Sequence, residues 1–397
     1  MPRFIAIPVV QGDAFYLDRE DISVLIDGGR SRNCFPSMFQ AITKSGGVDV
    51  IVCTHNDADH ANGILGFLEA GLKCQEVWLP GRWLSVLPDV LRPFVEVFEE
   101  LADNILGADD LEYLEELQLS LSPLENYAER IHHDSNRESA AEEGPRIAED
   151  GWPEPYLQML EQAEPWEVDP WLLGPWHGKH WPFQPYTRYR KLEPSAIKLL
   201  WSAIDAANRI RAIAAVAFHR GIEVRWFEFK PATPSGGVPE LQPINARELA
   251  KVQPRVDTLL AHLALTTANR ESLVFWSPPA EDHPGVLFTA DSDLGNASLP
   301  SALHRAIVTS PHHGSEANAK AYGAVSNVNG SSSVTWVRSD GRYRSRPGNS
   351  YLGVASRRLC TLCRHPKGIS TRKQTVHLYA RHGAWIRHHS SQLCSCQ

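Results

Sequence analysis

The chain has 397 residues, 43% of them hydrophobic, and a formal net charge of −8. That is enough apolar material for one large core or two modest ones, and it excludes the disordered and fibrous classes. No apolar run approaches the ~20 residues that span a bilayer, and MPRFIAIPVVQGDAFYL at the start lacks a small-residue cleavage pattern, so a cytoplasmic protein without a signal peptide is expected.

In chain order, 3–10 and 14–17 read as short strands with Gly12-Asp13 turning between them, and 21–29 as a strand ending in Asp27-Gly28-Gly29. A helix is predicted over 36–44, then the buried strand VDVIVC over 48–53, a helix over 61–70 and a strand over 76–79. Strands alternating with helices indicate a layered α/β domain. From 81 to 194 the character changes. Between Glu96 and Asp169 twenty-two acids face three arginines, the stretch 132–151 is strongly polar, and Trp152, Trp166, Trp171, Trp176 and Trp181 follow in a Pro-rich segment. This region reads as an acidic, largely helical insertion, either a cap or partner surface over the site or a packed elaboration without a functional role. Beyond it, 195–219 is a clear amphipathic helix stopped by Arg220-Gly221, and strands are predicted at 222–229, 272–276, 286–291, 306–310 and 332–339.

The strongest local signal is Thr54-His55-Asn56-Asp57-Ala58-Asp59-His60, in which four metal-ligating side chains lie within six residues directly after a buried strand. Crowding these groups without a cation is costly, because like charges repel and burial removes their hydration; a divalent metal removes that cost. Asp59-His60 would open a helix, where free backbone N–H groups favour anions. Two later segments also end apolar strands: Thr289-Ala290-Asp291 and Ser310-Pro311-His312-His313-Gly314-Ser315. Strand ends on one edge of an α/β sheet converge on a common crevice. Asp291 with one or both of His312 and His313 would complete two adjacent sites.

The order Gly-Asp turn, LIDGG, THNDADH, TAD, SPHHGS resembles the metallo-β-lactamase superfamily, nearest to the hydrolase domain of bacterial competence proteins of the ComEC type. The His-x-Asp-x-Asp-His loop of that branch is matched by His55, Asp57, Asp59 and His60. Its Thr-Gly-Asp is matched by Thr289-Ala290-Asp291 with Ala290 in place of the glycine, its His-His-Gly-Ser by His312 to Ser315, and its Asn-x-x-Ser-Leu-Val strand by Asn269 to Val274. The likeness covers roughly 1–80 and 205–390. It implies a four-layer αββα sandwich with a large helical insertion: the domain's first part over 1–80, the insertion over 81–194, its second part over 195–350 and a basic segment over 351–397. No histidine precedes Ser272 where the wider superfamily has its third motif, so one site is expected to be less completely held, with single-metal occupancy open. The oxygen-rich ligand set favours Mn²⁺, with Zn²⁺ close behind. The resemblance implies hydrolysis by a hydroxide shared between two cations roughly 3.5–4 Å apart and bridged by Asp291. Asp59 would orient that water or accept its proton, the spare histidine (His313 or its neighbour) and Ser315 would donate to a scissile oxygen, and Asp27 would brace a ligand from behind.

Seven cysteines are present; Cys34, Cys53 and Cys74 are scattered in apolar surroundings, while Cys360-x-x-Cys363 and Cys394-x-Cys396 are paired. The four paired residues are expected either to form a structural Zn²⁺ site or to remain free thiols beside a His-rich tail. Between them 375–387 reads as a hairpin turning at Arg381-His382-Gly383. From Ser301 onward fourteen Lys and Arg face two acids, Glu316 and Asp340, a balance of +12 that leaves −20 on 1–300. Either this is an anionic-ligand face with Arg338, Arg342, Arg344 and Arg346 contacting phosphates, or the two halves neutralise each other. The leading expectation is a cytoplasmic nuclease or phosphodiesterase acting on nucleic acid. A hydrolase of a small phosphoester, lactone or thioester is the alternative, and a non-catalytic, partner-binding subunit the third.

Overall fold

Short β-branched and aromatic runs punctuated by Gly, Asp and Pro favour strands. In the computed structural model, which describes residues 1–93, 96–97, 100, 144–163, 194–252, 271–295, 297–339, 346–363 and 372–396, these runs build two large sheets. The first holds β1 (Arg3–Ala6), β2 (Phe15–Asp18), β3 (Ser23–Ile26), β4 (Gly47–Val52), β5 (Lys73–Pro80), β6 (Glu223–Phe229), β8 (Ala246–Glu248), β16 (Val376–Arg381) and β17 (Ala384–Arg387). Its order is β17-β16-β1-β2-β3-β4-β5-β6-β8. The second holds β7 (Gln242–Pro243), β9 (Phe275–Ser277), β10 (Val286–Phe288), β11 (Ile307–Thr309), β12 (Thr335–Arg338) and β13 (Arg357–Cys360), in the order β13-β12-β11-β10-β9-β7. A small ribbon pairs β14 (Leu362–Cys363) with β15 (Arg372–Lys373).

Seven α-helices are found among the described residues: α1 (Phe35–Thr43), α2 (Ala58–Glu69), α3 (Arg82–Val90), α4 (Leu157–Glu161), α5 (Pro194–His219), α6 (Ala319–Ser326) and α7 (Asn349–Leu352). The protein is therefore mixed α/β. None of the described helices is long and apolar enough to cross a membrane.

Strand β4 shows why its sequence is apolar throughout. Ile51 and Cys53 pack with α1, α2 and α5 on one side, and Val50 and Val52 pack on the other with residues of the second sheet. A strand buried on both faces reads as a continuous apolar run. Aromatic rings join the two sheets: Phe4 lies 6.2 Å from Phe288 and Trp78 5.5 Å from Phe275. Helices α6 and α7 cover the far side of the second sheet through Tyr322, Val325 and Tyr351.

The run predicted as a strand over 3–10 is paired only to Ala6. Pro8 has no N–H to donate and Val10 takes a φ of +72°, so the chain leaves the sheet and loops back to Phe15. Of 81–194, residues 81–93, 96–97, 100, 144–163 and 194 are described, and Trp83, Leu87, Trp152 and Leu160 join the same core as α5. The remaining acidic stretch, with Trp166, Trp171, Trp176 and Trp181, lies outside the described residues. The hairpin of β16 and β17 turns on His382 and Gly383, both at positive φ, as a two-residue turn between twisted strands requires. The basic C-terminal segment is shared between the sheets: β13 pairs with β12 in the second and β16 with β1 in the first.

Candidate metal centre

Strands β3 to β6 run parallel, as do β10 to β13, and within each set the carboxyl ends share an edge. Asp27 follows β3, the Thr54-to-His60 loop follows β4, Asp291 follows β10, and His312-His313 follow β11. The sequence makes these exits sharp. Asp57 is the extended N-terminal cap of α2, which places Asp59 in the helix's first turn. Gly12 (φ +89°) lets the Gly-Asp turn lie against this loop, since a Cβ there would sit 1.5 Å from the Asp59 carbonyl oxygen. After β11, His312 (φ +46°), His313 (φ +56°) and Gly314 (φ +83°) are three successive left-handed residues. Each non-glycine in that region costs roughly 1–2 kcal/mol, strain of the kind that concentrates at functional sites. Ala290 also stands at positive φ (+47°), where the resembling motif has glycine.

The loops bring the acids and imidazoles of all three segments together around Asp291. Oδ2 of Asp291 lies 3.7 Å from His55 Nε2 and 3.4 Å from His312 Nε2, and His55 Nε2 is 3.8 Å from Asp57 Oδ2. Oδ1 of Asp291 lies 3.4 Å from His60 Nε2 and 3.7 Å from His313 Nε2, and the latter is 3.7 Å from Asp59 Oδ2. Two donors each ~2.1 Å from one tetrahedral cation are about 3.4 Å apart. The spacing therefore suits two cation sites, one on each oxygen of Asp291. His55 Nε2, His60 Nε2 and Asp291 Oδ1 are buried without a hydrogen-bond partner. Buried polar atoms are seldom left so, and bound cations would satisfy all three.

Each imidazole is oriented from behind. Asp27 Oδ2 accepts from His60 Nδ1 at 2.8 Å and from the Thr54 hydroxyl at 2.8 Å, and Asp27 Oδ1 accepts from Thr54 N–H at 2.9 Å. Because that hydroxyl spends its proton on Asp27, its oxygen is left to accept from His55 Nδ1, 2.9 Å away. Asp13 Oδ1 accepts from His313 Nδ1 at 3.0 Å, and Asn318 Oδ1 faces His312 Nδ1 at 3.0 Å while its amide donates to the Asp291 carbonyl. All four rings thus turn Nε2 toward Asp291.

Electrostatics follow from this packing. Burial raises the Asp291 carboxyl, but His60, His313 and His312 outweigh it and hold the group well below the carboxylate range. Asp59 is lowered against burial in the same way by His60 and His313. Burial opposes charge on His60, yet Asp291 and Asp27 push it well up; His313, opposed by burial and favoured by Asp13 and Asp291, rises to about 9. Burial holds Asp13 above its usual range even beside His313, so this pair keeps a proton at neutral pH. Burial lowers His312 despite Asp291, and Arg346 adds to that effect.

No protein-family model matches this chain, and no curated protein matches it in sequence. The resemblance to metallo-β-lactamases rests on the sequence motifs alone. Both His312 and His313 face the pocket, on opposite oxygens of Asp291.

Ser315 caps a one-turn helix, its Oγ accepting from Ala317 N–H at 3.3 Å. Arg338 is not a surface phosphate contact: it is fully buried, and its guanidinium donates to the carbonyls of Leu362 (2.7 Å) and His313 (3.4 Å). Every residue of β12 from Thr335 to Arg338 is buried, which the neighbouring arginines conceal in the sequence. Arg342 and Arg344 lie outside the described residues. Arg346 lies at the pocket, with Nη2 2.7 Å from His312 Nε2. Cys360, Cys363, Cys394 and Cys396 come together, one sulfur each within 4.8 Å of the others. Asp13, Thr54 and Asn318 went unread as braces. Asp13 carried a signal in its Gly-Asp turn, whereas Asn318 carried none.

Proposed function

We propose that this protein is a metal-dependent hydrolase of the four-layer metallo-β-lactamase sandwich, acting on phosphodiester bonds of nucleic acid. The observation that carries the reading is that Asp291 offers one oxygen to His55 and His312 and the other to His60 and His313. His55, Asp57, His312 and Asp291 would hold one cation, and His60, Asp59, His313 and Asp291 the other. With both His312 and His313 counted, three carboxylates and four imidazoles form a donor set balanced between Mn²⁺ and Zn²⁺. Two such cations, when bound, supply Lewis acidity and bring the pKa of water from about 15.7 toward ~7.

The chain's own groups supply the rest. Asp59, kept ionised by His60 and His313, would give one carboxylate oxygen to the cation and accept a proton from the attacking water on the other. Asp27 and Asp13 fix which ring nitrogen of His60 and His313 carries hydrogen. A cation on His312 Nε2 would displace Arg346 Nη2, 2.7 Å away, and free that guanidinium to donate to a phosphate oxygen. The +12 balance from Ser301 onward supports a polyanionic substrate.

The test is purified protein challenged with plasmid, single-stranded DNA, RNA and a chromogenic phosphodiester, with and without Mn²⁺ or Zn²⁺. Metal-dependent cleavage of a polymer, lost in Asp59→Ala, is the expected result. Turnover of the small ester alone would replace nucleic acid by a small-molecule substrate. Inert, metal-free protein would end the hydrolase reading.

A further inference from the structure

Behind the His312-His313 loop lies a second cluster that the hydrolytic reading does not use. Cys360 closes β13, Cys363 closes β14, and Cys394 and Cys396 arrive on the last turn of chain. Cys360, Cys363 and Cys396 are buried, and the four sulfurs lie within 4.8 Å of one another. The backbone holds them there: Cys394 N–H donates to Arg358 O at 2.9 Å, and the Gln374 side chain donates to Cys360 O and Gln392 O. Cys396 N–H points at Cys394 Sγ (3.4 Å) and the Tyr351 hydroxyl lies 3.2 Å from Cys360 Sγ, the kind of donors that surround metal-bound thiolates.

An independent observation concerns charge. Arg338 is fully buried, and among the described residues the ionisable groups acting most strongly on it are Cys360, Tyr351 and Cys396, with no carboxylate among them. Its Nη2 is 3.6 Å from Cys396 Sγ, and its Nε has no hydrogen-bond partner. A guanidinium cannot shed its proton, and a buried charge needs a counter-charge. Four neutral thiols or two disulfides would leave it uncompensated. A divalent cation held by four thiolates carries a net charge of −2 and compensates it.

We propose that Cys360, Cys363, Cys394 and Cys396 hold a structural zinc ion, with Arg338 as its buried counter-ion. Soft sulfur donors in a closed four-coordinate cage select Zn²⁺ over the harder cations suited to the Asp/His pocket. The site also supports the neighbouring loop: Arg338 Nη1 reaches His313 O, and Arg338 packs where a side chain on Gly314 would stand. The zinc thereby buttresses the strained turn that presents His312 and His313.

The test uses the full chain. The mercurial p-mercuribenzoate should release one zinc as four thiols react, and protein grown with Co²⁺ should show the intense sulfur-to-cobalt charge-transfer and ligand-field bands of a tetrahedral thiolate site. These signals should persist in Asp291→Ala, which removes the shared ligand of the other pocket, and vanish in Cys363→Ser/Cys396→Ser. Wild-type protein whose four cysteines count as disulfides, or as free thiols with neither zinc nor a cobalt–thiolate band, would overturn the proposal. Since those readings need no variant, misfolding of the double mutant does not blunt the test, and loss of the Asp/His metals in Asp291→Ala is read separately.

Discussion

Replacing Asp27 by asparagine changes one atom in a fully buried side chain, and it should weaken both cation sites at once. In the wild type the Asp27 carboxylate accepts from Thr54 N–H, from the Thr54 hydroxyl and from His60 Nδ1, and through that hydroxyl it fixes His55 as well. Both rings therefore carry hydrogen on Nδ1 and leave Nε2 facing Asp291. An asparagine that keeps its carbonyl toward Thr54 N–H puts its amide against His60 Nδ1 and the Thr54 hydroxyl. Those groups must then accept, which moves the ring hydrogens to Nε2, the nitrogens needed by the cations. Loss of a carboxylate that orients a metal-bound histidine typically costs 10–100-fold in affinity, and one such histidine serves each side of Asp291. Each site should therefore weaken by about 1.4–2.8 kcal/mol. Isothermal titration with Mn²⁺ and Zn²⁺ reads this directly, and circular dichroism checks the fold. Two sites binding within twofold of the wild type in folded Asp27→Asn would refute the tautomer argument.

Three further outcomes follow from the same geometry. His313→Ala strands the buried Asp13 and should cost ~3–5 kcal/mol in denaturant unfolding of the metal-free protein, whereas His312→Ala removes one partner each from the Asn318 carbonyl and the half-buried Arg346 guanidinium and should cost ~1–3 kcal/mol; equal losses would contradict the assigned partners. Because His313 is raised to about 9 and His60 well above its usual value, cations must displace their Nε2 protons: affinity should climb as pH rises through about 9, where His313 loses its proton, with proton release seen as buffer-dependent heats. The sign for stability is the reverse, since His313 stabilises the metal-free fold fully below pH ~6.5 and loses that contribution as pH rises through about 9, with His60 acting in the same direction. Gly12→Ala forces a Cβ into the Asp59 carbonyl at positive φ and should destabilise by about 2–5 kcal/mol, measured by urea unfolding.

Much of the architecture was legible because β4, β10 and β11 are apolar on both faces and end in polar, ligand-bearing loops. Helix α5 announced itself by its amphipathic period. Local clustering revealed the acids and imidazoles, since His55, Asp57, Asp59 and His60 are neighbours in the chain. The braces were harder to read. Asp13 meets His313 across 300 positions of sequence, and Asn318 reaches His312 only because the left-handed turn at 312–314 folds back on itself. Arg338 misled for the opposite reason: a basic run on the page conceals a residue that β12 turns inward, toward the cysteines. The four cysteines were visible as two pairs, but only the placement of β13 and the chain's last turn brings them to one point.

Anomalous diffraction from crystals grown with Mn²⁺ tests the central claim most directly. Two peaks are expected flanking Asp291, roughly 3.5–4 Å apart, one beside His55 and His312 and the other beside His60 and His313. Saturated crystals with no peak within bonding distance of either Asp291 oxygen would contradict it.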